Sequence, residues 1–306
     1  MSENQIETRR GVAGLSAVSE VWLGWGLIAV LALADLIGLK LAAMSVKLGP
    51  ALFAAAGAVL LLIVSWVYST PRPDPRLSAL AMTAAQLVAY TAIAGTLSYV
   101  ATRAGQPMID GALVSADRAM GLDWLRYYDW CVARHSVYAV FSIAYNSLIP
   151  QLMVVLVVAF AVRPAARGRE LFWLFVLTSL GCVLIGGVLP AAGAFVTFKV
   201  SPNEPYVRQF LALRNGSLRV IDLRLLQGVV QFPSFHLALA AILTYAARGI
   251  RVLFPLLLAL NALVIVATPP IGGHHFADLW GGAVLTMAAI AAVRWAQGKD
   301  KARNRA

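Results

Sequence analysis

Two short stretches hold the residues that could do chemistry: "QFPSFH", residues 231–236, and "GGHHFADLWGG", residues 272–282. Imidazole and carboxylate are costly among apolar neighbours, so their presence in so hydrophobic a chain points to function. A spacing of four puts His274 and Asp278 on one helix face, where a carboxylate can hold the imidazole in one tautomer. His275 points elsewhere and reads as a supporting residue. Asp278 falls near a predicted helix start, and Gly272 and Gly273 leave backbone N–H groups open to an anion at that positive end. In the other stretch, Pro233 suits a first helical position, Ser234 follows it and His236 comes two residues later. If the stretches meet, a hydroxyl, free N–H groups and two imidazoles surround one small volume. The helix end in that volume could take up phosphate.

The elements that must position these groups are membrane helices. The 306 residues are 60% hydrophobic and 13% charged, with mean hydropathy +0.77, against about 25% charged in an ordinary soluble domain. Runs long enough to span a bilayer recur. We read eight spans, at 21–44, 48–68, 78–101, 137–162, 170–198, 233–247, 252–270 and 274–295. The expected fold is therefore all-α, a polytopic transmembrane bundle of about eight spans with a six-helix core. Residues 1–74 supply two additional N-terminal helices, 75–298 the core, and 299–306 a basic tail. The first run has no cleavage site and contains Asp35 and Lys40, so it is read as retained, with Asp35 pairing with Lys40 or snorkelling. "LIGGVLPAAGAF", 184–195, predicts close helix packing with a proline kink. Tyr145, Asn146, Ser147 and Gln151 could glue helices or touch substrate. Cys131 and Cys182 give neither a disulfide framework nor a metal-binding spacing.

The net charge of +11 reflects flanking arginines rather than a nucleic-acid surface, since no basic and aromatic interleaving accompanies it. With the N-terminus inside, fourteen of the 25 basic residues fall on inner segments, among them Arg9, Arg10, Arg72, Arg76, Arg163, Arg167, Arg169, Arg248, Arg251, Arg294, Lys299, Lys301, Arg303 and Arg305. In the loop 102–136, Arg103, Arg118, Arg126 and Arg134 are balanced by Asp110, Asp117, Asp123 and Asp129. Both termini are expected in the cytoplasm, and both histidine stretches on the outer, periplasmic face of a bacterial inner membrane. The alternation of charge with Leu113, Met120, Trp124 and Trp130 predicts a short interfacial helix, an aromatic anchor or a substrate lid.

Pro233-Ser234-Phe235-His236 and His274-x-x-x-Asp278, 38 residues apart, resemble the P-S-x-H and H-x-x-x-D motifs of the type 2 phosphatidic acid phosphatase superfamily. The phenylalanine, the "HH" doublet and the following "DLWGG" are more similar to its inositol phosphorylceramide synthase, or inositolphosphotransferase, branch. "DRAMGLDW", 117–124, and "AYNSLIPQ", 144–151, look similar to segments of bacterial members of that branch. The resemblance spans about 75–295. It implies hydrolysis or transfer of a lipid's phosphoryl or phospho-headgroup without a cofactor or metal. It makes His274 the nucleophile that becomes a phosphohistidine, Asp278 its orienter, His236 the general acid and Ser234 a phosphate hydrogen-bonder. The family's basic clamp departs from pattern here. The arginine of the expected S-R pair is missing, with Ala267 and Thr268 in its place, and Asn215 replaces the proline after Arg214. Arg214 and Arg208 are the phosphate-binding arginines the resemblance suggests, with Gly273 beside them. Arg219 and Arg224 are nearby alternatives, and Arg118, His275 and Tyr145 are expected around the site.

Two readings of other classes compete. A transporter could bind an anion or proton at the same cluster, but it predicts polar residues at mid-bilayer, and here they gather at one face. A metal hydrolase would need His274 and His275 to share an ion, and neighbours on a helix diverge by about 100°. Phosphatidate, phosphatidylglycerol phosphate, undecaprenyl diphosphate and a ceramide or inositol headgroup reaction all suit an outer-leaflet site. The expected partners are the bilayer and a lipid phosphate, with a homo-oligomer open.

Overall fold

The computed structural model describes residues 3–162 and 165–303, with side-chain surroundings over 19–162 and 165–298. Arg9, Arg10, Arg163, Lys299, Lys301, Arg303 and Arg305, which entered the charge count, and the tail 299–306 lie outside the residues whose side chains are described. The fold is an all-α polytopic bundle.

Helix α1 (Glu3–Leu41) is followed by strand β1 (Ser45–Val46), α2 (Leu48–Val67) and α3 (Pro75–Arg103). Asp74 starts α3 by accepting from Arg76 N at 2.9 Å and Leu77 N at 3.1 Å, with Pro75 at the position where its missing N–H is harmless. Two short helices follow, α4 (Asp110–Ala119) and α5 (Trp124–Val132), then α6 (His135–Asn146) and α7 (Leu148–Val162). Next come α8 (Ala166–Val188), α9 (Ala194–Thr197), α10 (Pro205–Arg214) and strand β2 (Val220–Ile221). After a 3-10 turn at Leu223–Leu225, α11 (Phe235–Ala246), α12 (Leu253–Gly272) and α13 (Phe276–Arg303) complete the chain.

Among the described residues six helices are long and apolar enough to cross a membrane: Ser19–Leu41 of α1, then α2, α3, α8, α12 and Phe276–Gly298 of α13. Helices α6 and α7 make a seventh span if counted together, but they are bent by 42° at Ser147, so the expected straight run 137–162 is broken. The expected sixth span is α11, and its 12 residues reach only about 18 Å at 1.5 Å per residue, short of a hydrocarbon core of about 30 Å. Eight spans thus become six by length, or seven with the bent pair.

Other boundaries also shift. The run 170–198 stops at Val188, because Leu189 precedes Pro190 and leaves the helical region (φ −122°, ψ 67°). The proline ends the helix there and does not kink it, while Gly181 and Gly187 allow Leu285 and Ala101 to approach closely. Pro233 stands before the N-cap Ser234, so it is not the first helical residue. The interfacial segment forms two helices, α4 and α5, turned at Gly121 (φ 73°). Asp35 is buried with Oδ1 unpartnered and does not pair with Lys40, which five helical residues carry about 140° around α1.

The main core joins α1, α3, α7, α8, α11, α12 and α13 through residues such as Tyr90, Phe160, Leu174, Leu243 and Val264. Asn261 donates to Thr244 at 2.9 Å and ties α12 to α11 inside the bundle. Large residues left outside, including Trp22, Phe53, Ile143 and Met287, are exposed because lipid is as apolar as the core they would otherwise join. Opposite the histidines, Glu170 is buried and accepts from Arg248 through both oxygens at 2.7 Å, with Arg167 at 3.5 Å.

Candidate active site

The two histidine stretches meet at one end of the bundle. Helix α12 closes at Gly273 (φ 67°), where a Cβ would sit 2.8 Å from the Phe195 ring and collide with the Tyr206 hydroxyl. A left-handed residue in so little space requires glycine. The Gly273 carbonyl accepts from Ala194 N at 2.6 Å, anchoring the bend to the start of α9. His274 and His275 occupy the non-helical joint before α13, so both lie outside the spans. His274 is therefore not on the helix that carries Asp278, yet they still meet. His274 Nδ1 lies 3.2 Å from Asp278 Oδ2, and that same oxygen accepts from His275 N at 2.8 Å.

The other face of His274 meets α11. His274 Nε2 lies 3.4 Å from His236 Nδ1, with ring centroids 5.5 Å apart. Phe235 and His236 begin α11, whose N-cap Ser234 is fully buried; its Oγ accepts from Leu237 N at 3.4 Å. Ser234 N donates to the Asp278 carbonyl at 3.0 Å, joining α11 to α13. Gly282 leaves room for the Ser234 carbonyl at this crossing. Tyr145 of α6 stacks on His236 at 4.3 Å, and its hydroxyl lies 3.3 Å from His236 Nδ1. His236 is partly exposed, whereas His274 is buried. Burial pushes the His274 imidazole well below its ordinary pKa and the Gln231 carbonyl opposes that only in part, which favours the neutral ring.

His275 takes the opposite course to its neighbour. Its ring is fully buried between two carboxylates of α4, with Nε2 3.5 Å from Asp110 and Nδ1 3.7 Å from Asp117. Burial alone would lower its pKa, but the two aspartates outweigh it and lift the group to about 9. Burial likewise works against the Asp110 carboxylate, but the His275 side chain and the N–H groups of Ala192 and Gly193 hold its pKa below the usual value. Asp117 accepts from Phe276 N at 3.1 Å and Ala277 N at 2.7 Å, capping α13 from another helix. Trp124, read from sequence as a membrane-interface aromatic, is buried instead and donates its indole N–H to the His274 carbonyl at 2.9 Å.

The structure thus brings together His274, Asp278, His236, Ser234, Gly273, Tyr145 and His275. Among the described residues no hydrogen bond or ion pair links the expected arginines to them. Arg208 is exposed and lies two residues beyond buried Tyr206, about 200° around α10. Arg214 ends α10 about 12 Å further along the axis than Tyr206, and donates to the Gln106 carbonyl at 2.9 Å. Arg118 is exposed beside Asp117. His274 and His275 turn to different partners, and among the described residues no group of three or more His, Cys, Asp or Glu side chains could hold a metal ion. Asn146 and Gln151 make local bonds, to Ser142 O and Ser147 Oγ.

Sequence reasoning missed the roles of Asp110, Asp117, Trp124 and Tyr206 around the joint. One signal was available: Asp110, Leu113 and Asp117 are three and four apart, which puts two carboxylates on the inward face of α4.

A helical membrane bundle with imidazoles and carboxylates gathered at one end defines a polytopic membrane protein whose polar chemistry faces one side. The family model described as PAP2 superfamily matches residues 111–292, more than half of the chain, and the chain belongs to that superfamily. Superfamily members are generally phosphatases, and the chain is an enzyme of this membrane type. The match starts within α4, later than the 75 expected from the motifs. No curated protein and no solved structure matches the chain.

Proposed function

We propose that the chain hydrolyses or transfers the phosphoryl or phospho-headgroup of a lipid phosphate through a phosphohistidine on His274. One observation carries this reading: the buried His274 ring has a carboxylate at Nδ1, 3.2 Å away, and an imidazole at Nε2, 3.4 Å away. That arrangement leaves Nε2 as the nucleophile and puts a proton carrier beside it. In the first step the Nε2 lone pair forms a bond to phosphorus, the bond from phosphorus to the lipid alcohol oxygen breaks, and His236 gives its proton to that oxygen. In the second, water or an alcohol gives a proton to His236 and attacks phosphorus. The N–P bond then breaks and His274 returns neutral. Phosphorus lies between attacking and leaving atoms in such a displacement, so the two rings part as phosphate enters. His236, partly exposed on α11, is the one with room to move.

Asp278 orients His274, and Ser234 and Gly273 lie beside the phosphate path. The reaction runs without a metal or cofactor, so full activity in excess EDTA is expected. The motifs favour the inositolphosphotransferase branch, with 75–298 as the working core, both termini cytoplasmic and the site on the outer face. The test is release of phosphate or headgroup from lipid phosphates by purified protein, with acid-labile phosphate trapped on the chain. His274→Ala is expected to lose both, and wild-type turnover by that variant would refute the reading.

A further inference from the structure

Around the His274 joint no hydrogen bond or ion pair links an arginine to the described site residues, yet buried polar atoms stand there without partners, Tyr206 Oη, Gln231 Oε1, His275 Nδ1 and Asp278 Oδ1 among them. Tyr206 is 8% exposed and its hydroxyl has no hydrogen-bond partner; Gln231 is 2% exposed and its Oε1 has none. Each lies against one of two glycines that are themselves in contact. The Tyr206 hydroxyl packs on Gly273, immediately before His274, and the Gln231 side chain packs on Gly193, whose added Cβ would lie 3.0 Å from Gln231 Cγ and 2.8 Å from the Gly273 carbonyl. The Tyr145 hydroxyl packs on Gly272 in the same way, 2.6 Å from where a Cβ would be. Hydroxyls from α6 and α10 thus flank the two glycines that lead into His274. A buried hydroxyl without a partner is destabilising unless a ligand completes it, and a phenol is a neutral donor suited to a phosphate oxygen in a dry site.

We propose that Tyr206 Oη donates a hydrogen bond to a non-bridging oxygen of the phosphoryl group at His274, with Tyr145 Oη on the other side, in place of the arginine absent at Ala267 and Thr268. The assignment rests on the function proposed above. A phenol adds no charge, so the clamp stabilises charge on the phosphoryl oxygens by a fixed dipole and depends little on salt. Tyr206 enters the site because α10 buries Tyr206, Val207, Phe210 and Leu213 and turns Arg208 outward.

The experiment uses full-length protein in detergent and orthovanadate as the phosphate probe, with the Kd taken from the ligand-induced rise in melting temperature. Tyr206→Phe is expected to weaken vanadate about tenfold to a hundredfold and to leave the melting temperature of the unliganded protein unchanged or raised, since the hydroxyl it removes bonds nothing in the fold. Tyr245→Phe, whose unpartnered hydroxyl lies at the far end of α11, is expected to bind as wild type does. A vanadate Kd for Tyr206→Phe within twofold of wild type, or no vanadate response in wild type, overturns the assignment. So does a lowered unliganded melting temperature with unchanged affinity, the mark of a structural hydroxyl. If His274→Ala turns over lipid phosphate at the wild-type rate, the functional reading itself fails; if that variant is dead while Tyr206→Phe binds vanadate normally, only the phenol clamp fails.

Discussion

Adjacent histidines with opposite surroundings divide the work at the joint. His274 is buried, neutral and turned to Asp278, while His275 is buried, charged and turned to Asp110 and Asp117. Asp278 Oδ2 holds the His274 ring through Nδ1 and the His275 peptide through N–H, so one oxygen fixes both the orientation of the ring and the course of the backbone. Asp278→Asn is expected to reduce kcat by about a hundredfold to ten-thousandfold with KM little changed, because an amide can present the wrong group to Nδ1. Adding it to His274→Ala is expected to do no further harm, since residues that act as a unit are not additive; an additive loss would place Asp278 outside that unit. His275 predicts a pH dependence of a definite sign. Its pKa is raised from 6.5 to about 9 on folding, so the folded chain keeps a proton that the unfolded chain releases above its lower pKa. The resulting stability is complete below pH 6.5 and is lost as pH rises through about 9, with a slope of about 1.4 kcal/mol per pH unit in between. Melting temperatures of wild type and His275→Asn from pH 6 to 10 check this: the wild-type curve should fall and the variant's should stay nearly flat over that window.

Helix α4 reaches the site without touching its chemistry. Its Asp117 caps two N–H groups of α13 and pairs with His275, and its Asp110 gathers the Ala192 and Gly193 N–H groups of the loop before α9. Removing Asp117 leaves two helix-start donors uncapped and a buried imidazolium short of a partner. The first effect amounts to about 1 kcal/mol and the second to more. Asp117→Ala is therefore expected to lower the melting temperature by several degrees, with Asp117→Asn intermediate and Arg118→Ala, at the exposed neighbour, unchanged; equal melting temperatures for all three would show that the cap contributes little. This helix also marks the limit of what the sequence made legible. Long apolar runs announced α1, α2, α3, α8, α12 and α13, because hydropathy reports on lipid contact. The two motifs announced His236, His274 and Asp278, because few other reasons place such groups at helix starts. Three things stayed hidden, each set by contacts far along the chain. The bend at Ser147 is one, and the shortness of α11, fixed by the crossing of Ser234 with Asp278 and Gly282, is another. The third is the phase of α10, which turned Tyr206 inward where a basic pattern had drawn attention to Arg208 and Arg214.

The bundle as a whole has two unlike ends. One gathers His236, His274, His275, Asp110, Asp117 and Asp278 under α4, α5 and α10. The other is built from arginines: Arg76 donates to Ala161 O, Arg169 pairs with Glu20 at 2.6 Å, and Arg167 and Arg248 meet at Glu170. Within residues 1–74, which we regard as an addition to the core, the described part is tied to the rest of the bundle. Strand β1 pairs in parallel with β2, Lys47 reaches Asp222 at 3.5 Å, and α2 and α1 pack along α3. The addition thereby grips the segment that leads into the Ser234 N-cap. Basic residues are retained on the cytoplasmic side, so the arginine end is expected inside and the histidine end outside, giving the enzyme access to outer-leaflet lipid. Cysteine labelling tests that directly, because native Cys131 and Cys182 are both buried and should contribute little background. Met120→Cys, at the exposed turn between α4 and α5, is expected to react with a membrane-impermeant maleimide on intact cells. Arg251→Cys, at the exposed turn between α11 and α12, is expected to react only after permeabilisation. The reverse pattern would invert the chain, turn the histidine end to the cytoplasm and make the inner leaflet its source of substrate, while leaving the geometry at His274 as it stands.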